Sequence, residues 1–311
     1  MPTIDSIDEN QASVKACLMA DSGDGKTCAL ASLVNAGYEM AVLDFDNKIR
    51  AIRPFLTDEA FSSGRLHFAE LTDKLKTIND KIVPKGQPIA TTKAMTLLNH
   101  WKIGEEDLGP VSSWGPNRIL VVDTLTFQGD AAMRHVQALA SASGDRIHPS
   151  HWGEAQRIQQ GFLELLCSQA INCHVIINSH ISYMGGKDPA PIASKDKYGN
   201  VAYQVTSDNI EPDAPMSAYP SALGRKLPPL VGRYFDSLLS IKIEGTNRRF
   251  LITSSRANIS LKNPRPDKVP DKIPLGLTKD HKADPDQGLA QYFKLVLGHG
   301  PQTEEELSAD D

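Results

Sequence analysis

No apolar run in this chain approaches the ~20 residues needed to span a bilayer, so membrane insertion is not expected. Met1 to Asn10 is acidic and polar, unlike the basic-then-apolar pattern of a secretory leader. Cysteine is scarce: Cys17, Cys28, Cys167 and Cys173 are the only four, with no C-x-x-C spacing. Most lie in apolar segments, which argues against zinc or disulfides and predicts buried free thiols in a reducing, intracellular compartment. Positive charge is also short, since 33 Lys and Arg face 38 Asp and Glu for a net charge of −5. Without a global basic field, any nucleic-acid contact must be a local patch or loop. No internal repeat is visible. What is present is a chain of 311 residues, 40% of them hydrophobic, which can bury a large core in one main domain.

The most informative stretch is Ala20-Asp21-Ser22-Gly23-Asp24-Gly25-Lys26-Thr27. It keeps the spacing G-x-x-x-x-G-K-[ST] with Ala20, another small residue, at the first position. Gly23 and Gly25 let backbone N–H groups curl round phosphates, Lys26 reaches the β- and γ-phosphates, and the Thr27 hydroxyl ligates Mg²⁺. The cradle is assigned to Ala20 through Cys28. Its flanks agree: Ser13 to Met19 has the apolar character of a buried parallel strand, and Cys28 to Asn35 is apolar with helical spacing, stopping at Gly37.

Three more segments extend this site. Glu39 to Asp46 reads as a second buried strand delivering Asp44 and Asp46 at its carboxyl end, where ligands bind in open α/β sheets. Asp46 is the better placed to orient the attacking water, with Asp44 a supporting partner or a cap. Arg118 to Thr126 is an apolar strand that aims Asp123 at the metal, with Thr124 and Thr126 as supporting hydroxyls or turn closers. Cys173 to His180 is a third strand whose polar end, Asn178, Ser179 and His180, falls near the γ-phosphate edge. A helix from Trp152 to Ser168 lies between the last two. This alternation implies βαβ units, hence an α/β fold with a mainly parallel central sheet flanked by helices.

The order of these segments resembles the RecA-like P-loop ATPases, and more specifically the compact phage-encoded members related to the Sak-type single-strand annealing proteins, over roughly residues 12 to 260. The resemblance implies an ATP- and Mg²⁺-dependent ATPase acting on single-stranded DNA in recombination or replication. It also implies a homo-oligomeric ring or filament in the cytoplasm of a phage-infected cell, with a single-strand-binding or replication protein as a further partner. Asp46 then takes the place of the catalytic carboxylate, usually Glu in that family, and His180 that of the γ-phosphate switch, commonly Gln. The connection after the switch strand would hold DNA, which makes Lys187, Lys195, Lys197, Tyr198 and Tyr203 contact candidates through phosphate charge and base stacking. A cation from the region after residue 248 would complete a neighbour's site, and Arg256 is selected for it.

Outside the site, Leu66 to Leu71 reads as an edge strand, Thr91 to Trp101 as a covering helix, and Ile181 to Ser221 as a long loop or solvated hairpin. Tyr234 to Ile243 and Arg249 to Ser254 form a hairpin that extends the sheet. From Asn263 to Gln287 the composition turns to Pro, Lys and Asp, an extended wrapping arm, followed by a short docking helix at Leu289 to Leu297 and an acidic tail. The chain thus divides into an ATPase domain at 1–262 and an arm at 263–311. Rival readings keep the same phosphate loop: a helicase-like or loader motor, a nucleotide or small-molecule kinase with residues after 180 as a lid, or an ATP-gated scaffold with little turnover.

Overall fold

The computed structural model describes residues 13–73, 75–78, 81–84, 87–140, 149–185, 192–195, 201–204, 216–245, 248–256 and 258–302. Eight strands make its central sheet: β1 (Lys15–Met19), β2 (Glu39–Asp44), β3 (Leu66–Glu70), β4 (Arg118–Asp123), β5 (His174–Ser179), β6 (Ser237–Glu244), β7 (Arg248–Ile252) and β8 (Lys272–Pro274). They lie in the order β3-β2-β4-β5-β1-β6-β7-β8. From β3 to β6 every neighbouring pair is parallel, while β7 and β8 add antiparallel.

Strand residues alternate between two buried faces, which is why these strands read as near-continuous apolar runs. Ala16, Leu18, Met40, Val42, Ile119 and Val121 pack with α1 (Lys26–Ala29), α2 (Ala31–Asn35) and α6 (Gly288–Leu297). Cys17, Met19, Ala41, Leu43, Leu120 and Val122 pack on the other side with α3 (Ala90–Asn99), α4 (Leu125–Ala140) and α5 (Pro149–Leu166). Of the four free thiols, Cys17 and Cys173 are buried and Cys28 and Cys167 are partly exposed. Among the described residues no helix is long and apolar enough to cross a membrane.

Several elements differ in extent from the sequence reading. The expected helix ending at Trp101 stops at Asn99, because Trp101–Ile103 turns into a hairpin with Glu106–Gly109 and Trp101 is fully buried against Trp114. Of the two readings of the segment after β5, loop or hairpin, the described parts follow the second: Ile181–Gly185 lies antiparallel to Met216–Pro220, and Ile192–Lys195 to Val201–Gln204. The Pro-rich stretch contributes β8 to the sheet edge, where a strand ending in Pro274 leaves no ladder bond unmade.

At the amino ends of the strands, opposite the phosphate loop, His67 on β3 faces Glu39 at 3.1 Å through Nε2 and Glu106 at 2.9 Å through Nδ1. Arg118 Nε donates to the other Glu39 oxygen at 2.5 Å. Burial alone would lower the His67 pKa, but the two carboxylate hydrogen bonds override it and raise it above the ordinary value. Both ring nitrogens face acceptors, so the pair of bonds needs the imidazolium. A raised folded-state pKa means that this stabilisation is full below about pH 6.5 and is lost as pH rises through the folded value. His67→Gln should therefore lower stability at pH 6 by about 1.5 kcal/mol, the lower end for bonds to charged groups because Glu106 is partly exposed. Urea unfolding at pH 6 and pH 9 checks this: the gap between variant and wild type should shrink at the higher pH, and a pH-independent gap would contradict it.

Candidate phosphate-loop site

Strands β1, β2, β4 and β5 end at one edge of the sheet, so the segments singled out by sequence converge there. After β1 the chain passes through Gly23 at φ 91° and Gly25 at φ 98°, the left-handed region that glycine occupies without a Cβ penalty. Ala20 is fully buried, and its N–H donates to the Ser179 carbonyl at 3.2 Å, leaving no room for a large side chain at this turn. Asp21 and Ser22 are exposed on the loop's outer side. Leu30, between α1 and α2, keeps helical dihedrals of −64° and −26°, so the backbone continues helically from Lys26 to Asn35 before Gly37 at φ 112°.

Lys26 is buried, and its Nζ donates to the carbonyls of Ala20 at 2.8 Å and Asp21 at 2.9 Å. It also lies 3.3 Å from His180 Nδ1. Burial lowers the Lys26 pKa, opposed by Asp123, Asp24, Asp21 and Asp46. Burial lowers that of His180 as well, with the Lys26 charge next, so the imidazole is held toward its neutral form, able to accept from the ammonium.

Asp123 ends β4 almost completely buried. Thr27 Oγ1 donates to its Oδ2 at 2.8 Å, and Asn178 Nδ2 on β5 donates to its Oδ1 at 3.1 Å. Desolvation pushes its pKa up to about 6 against those two bonds, and Asp44 and Asp46 push the same way. A buried carboxylate with adjacent acids and one hydroxyl is a donor set that a hard divalent cation relieves. Among the described residues no group of three or more His, Cys, Asp and Glu could hold a metal unaided. Thr27 Oγ1 and Asp123 Oδ2 match the one or two protein oxygens that Mg²⁺ takes when phosphates and water complete its shell. Two further buried oxygens, Asn178 Oδ1 and Thr124 Oγ1, have no hydrogen-bond partner.

The two acids ending β2 separate in role. Asp44 is fully buried and accepts from the backbone N–H of Lys48 at 3.3 Å and Ile49 at 3.1 Å, capping the 3₁₀ turn Ile49–Phe55. Asp46 pairs with Lys48 at 2.9 Å and lies close enough to act electrostatically on Lys26, Asp123 and His180. Thr126 Oγ1 lies 3.4 Å from both the Ser221 carbonyl and the His180 N–H.

Of the cations Arg248, Arg249, Arg256 and Lys262, Arg249 approaches the loop. Its Nε donates to the Asp24 carbonyl at 3.0 Å, and its side chain lies 3.4 Å from where a Cβ on Gly25 would sit. Arg256, selected for a neighbour's site, lines a separate pocket with Asp21, Asp24 and Tyr183. Lys187, Lys197 and Tyr198 lie outside the described residues, and Lys195 and Tyr203 fall on the paired strands Ile192–Lys195 and Val201–Gln204 with their side chains likewise outside.

No protein-family model matches this chain, and neither does any curated protein. Among solved structures it is similar to an ATPase from the type III secretion system of pathogenic bacteria, at 14% identity and a TM-score of 0.35, over 74% of this chain and 52% of that one. The chain thus spans about half the length of that protein. The architecture rests on the strand order and the loop rather than on this distant likeness: an α/β sheet, mainly parallel and flanked by helices, with the loop 20–27 following β1 and Asp123 ending β4 in contact with Thr27.

Proposed function

We propose that this chain is a Mg²⁺-dependent ATPase of the RecA-like kind that acts on single-stranded DNA. The observation that carries it is the convergence of Lys26, Thr27, Asp46, Asp123, Asn178 and His180 at one sheet edge, with Thr27 and Asp123 in direct contact at 2.8 Å. Thr27 and Asp123 hold Mg²⁺ in this reading. The cation neutralises phosphate charge when it is bound. Lys26 turns from the Ala20 and Asp21 carbonyls to the phosphates, and Asp46 orients water and takes its proton. His180 loses its Lys26 partner when a γ-phosphate arrives. Its carbonyl accepts from Ser221 N–H at 2.7 Å, so a change there is passed to the residue that follows the Met216–Pro220 strand.

The finer part of the proposal follows from the resemblance to phage annealing and recombination ATPases. It comprises DNA contact through 187–203, assembly into a ring or filament, and division of labour between 1–262 and the arm at 263–311. Steady-state ATPase rates with and without single-stranded DNA test it. We expect stimulation at low salt that falls steeply as salt rises, because phosphate contacts release counterions. Turnover indifferent to DNA at every salt concentration would overturn the DNA assignment and leave an ATPase of another purpose.

A further inference from the structure

A cavity of about 540 Å³ opens beside the phosphate loop, and the mechanism above makes no use of it. Gly23 and Gly25 line its inner end, and it runs from there along Cys28, Ala29 and Ser32 of the helical segment behind the loop. It is therefore continuous with the place where phosphates would sit. Its remaining wall comes from far along the chain: Phe55, Phe250, Leu275 and Leu277 supply an apolar lining, and Arg249 stands at the junction with the loop. The outer wall is tied down rather than loosely apposed. Leu275 N–H donates to the Arg249 carbonyl at 2.9 Å, Ala283 N–H to the Phe55 carbonyl at 2.9 Å, and Asp284 N–H to the Gly276 carbonyl at 3.1 Å.

We infer that this cavity seats the nucleobase and ribose of the bound nucleotide, and that the stretch 274–288 supplies the wall that grips the base. This rests on the phosphate-loop reading above. The volume falls in the ordinary range for small-molecule pockets, and the lining is mainly apolar with few polar groups, as a flat heteroaromatic ring requires. The Arg249 guanidinium is planar and charged, suited to lie between base and phosphates. A purine, with the larger apolar face, should be preferred over a pyrimidine because the wall offers area rather than a hydrogen-bond code.

Calorimetric titration of the full chain with ATP, CTP and inorganic tripolyphosphate, each with Mg²⁺, tests this. ATP should bind roughly tenfold or more tightly than tripolyphosphate, with CTP between them. Leu277 is 50% exposed at the rim, so replacing it should leave the fold intact. Leu277→Glu, which puts a charge into the cavity, and Leu277→Trp, which fills it, should each weaken ATP about tenfold while tripolyphosphate affinity stays put. Equal affinities for ATP and tripolyphosphate in the wild type, or an unchanged ratio in both variants, would overturn the inference and leave the phosphate loop standing. If neither ligand binds, the phosphate-loop reading fails and the inference falls with it.

Discussion

Lys26→Ala should reduce ATP turnover by about 10²–10³-fold or more, the scale on which removing one preorganised charge from a reacting group acts. Lys26 Nζ lies within hydrogen-bond reach of Ala20 O, Asp21 O and His180 Nδ1, and the residue is buried within the loop. Binding should fail along with turnover. For the wild type, ATP at a hundredfold excess over Kd adds about 2.7 kcal/mol of stability, which raises the melting temperature by roughly 5 °C in a chain of this size. That rise should vanish in Lys26→Ala. Asp123→Asn makes the informative contrast: the amide oxygen still accepts from Thr27, its NH₂ can donate to the unpartnered Asn178 Oδ1 once that side-chain amide turns over, and the charge that would hold the metal is removed. Its turnover should drop as far as that of Lys26→Ala, yet metal-free ATP should still raise its melting temperature. Turnover of Lys26→Ala within a few fold of wild type would show that the loop is not the reaction centre.

The strands that build this site were legible because they are buried on both faces and end in acids or amides. Apolar runs such as Ile119 to Val122 and Val175 to Ile177 admit few other readings. The loop was legible because a spacing with two glycines and Lys-Thr has few structural uses. What the residues did not reveal is set by neighbours far away in the chain. That β5 lies between β1 and β4 depends on crossover paths, and so does the contact of Asn178 with Asp123. Arg249 could not be told from Arg248, because the choice depends on which side chain of β7 faces the loop, and the β6–β7 register decides that. The stretch after Asn263 read as an extended arm from its prolines. Its short strand pairs with β7, and the buried face of α6 packs on α2 and the sheet, partners that lie far away in the sequence.

Phe293→Ala should cost about 3–5 kcal/mol, the price of emptying a filled aromatic site in a core. Phe293 is fully buried on α6, with its ring 5.7 Å from that of Tyr38, 5.1 Å from that of His174 and 6.5 Å from that of Tyr292. Edge contacts of this kind add to the area term. The helix is anchored at other points as well: Tyr292 Oη donates to Ser237 Oγ at 2.7 Å, and Ala290 N–H to Ser32 Oγ at 3.3 Å. Just upstream, Asn35 Nδ2 donates to the carbonyl of Ala283 at 2.7 Å and of Phe55 at 3.0 Å. Ser32 and Asn35 sit on the helix that leads out of the phosphate loop, so loosening α6 removes support from behind the loop. Urea unfolding should show a lower midpoint with an unchanged slope, a loss of stability without a change in the surface exposed. A peripheral strap would behave differently: Phe293→Ala would then cost under about 1 kcal/mol, the range of substitutions away from a core. The full loss would make α6 a wall of the core, joined to the proposed nucleotide site through α2.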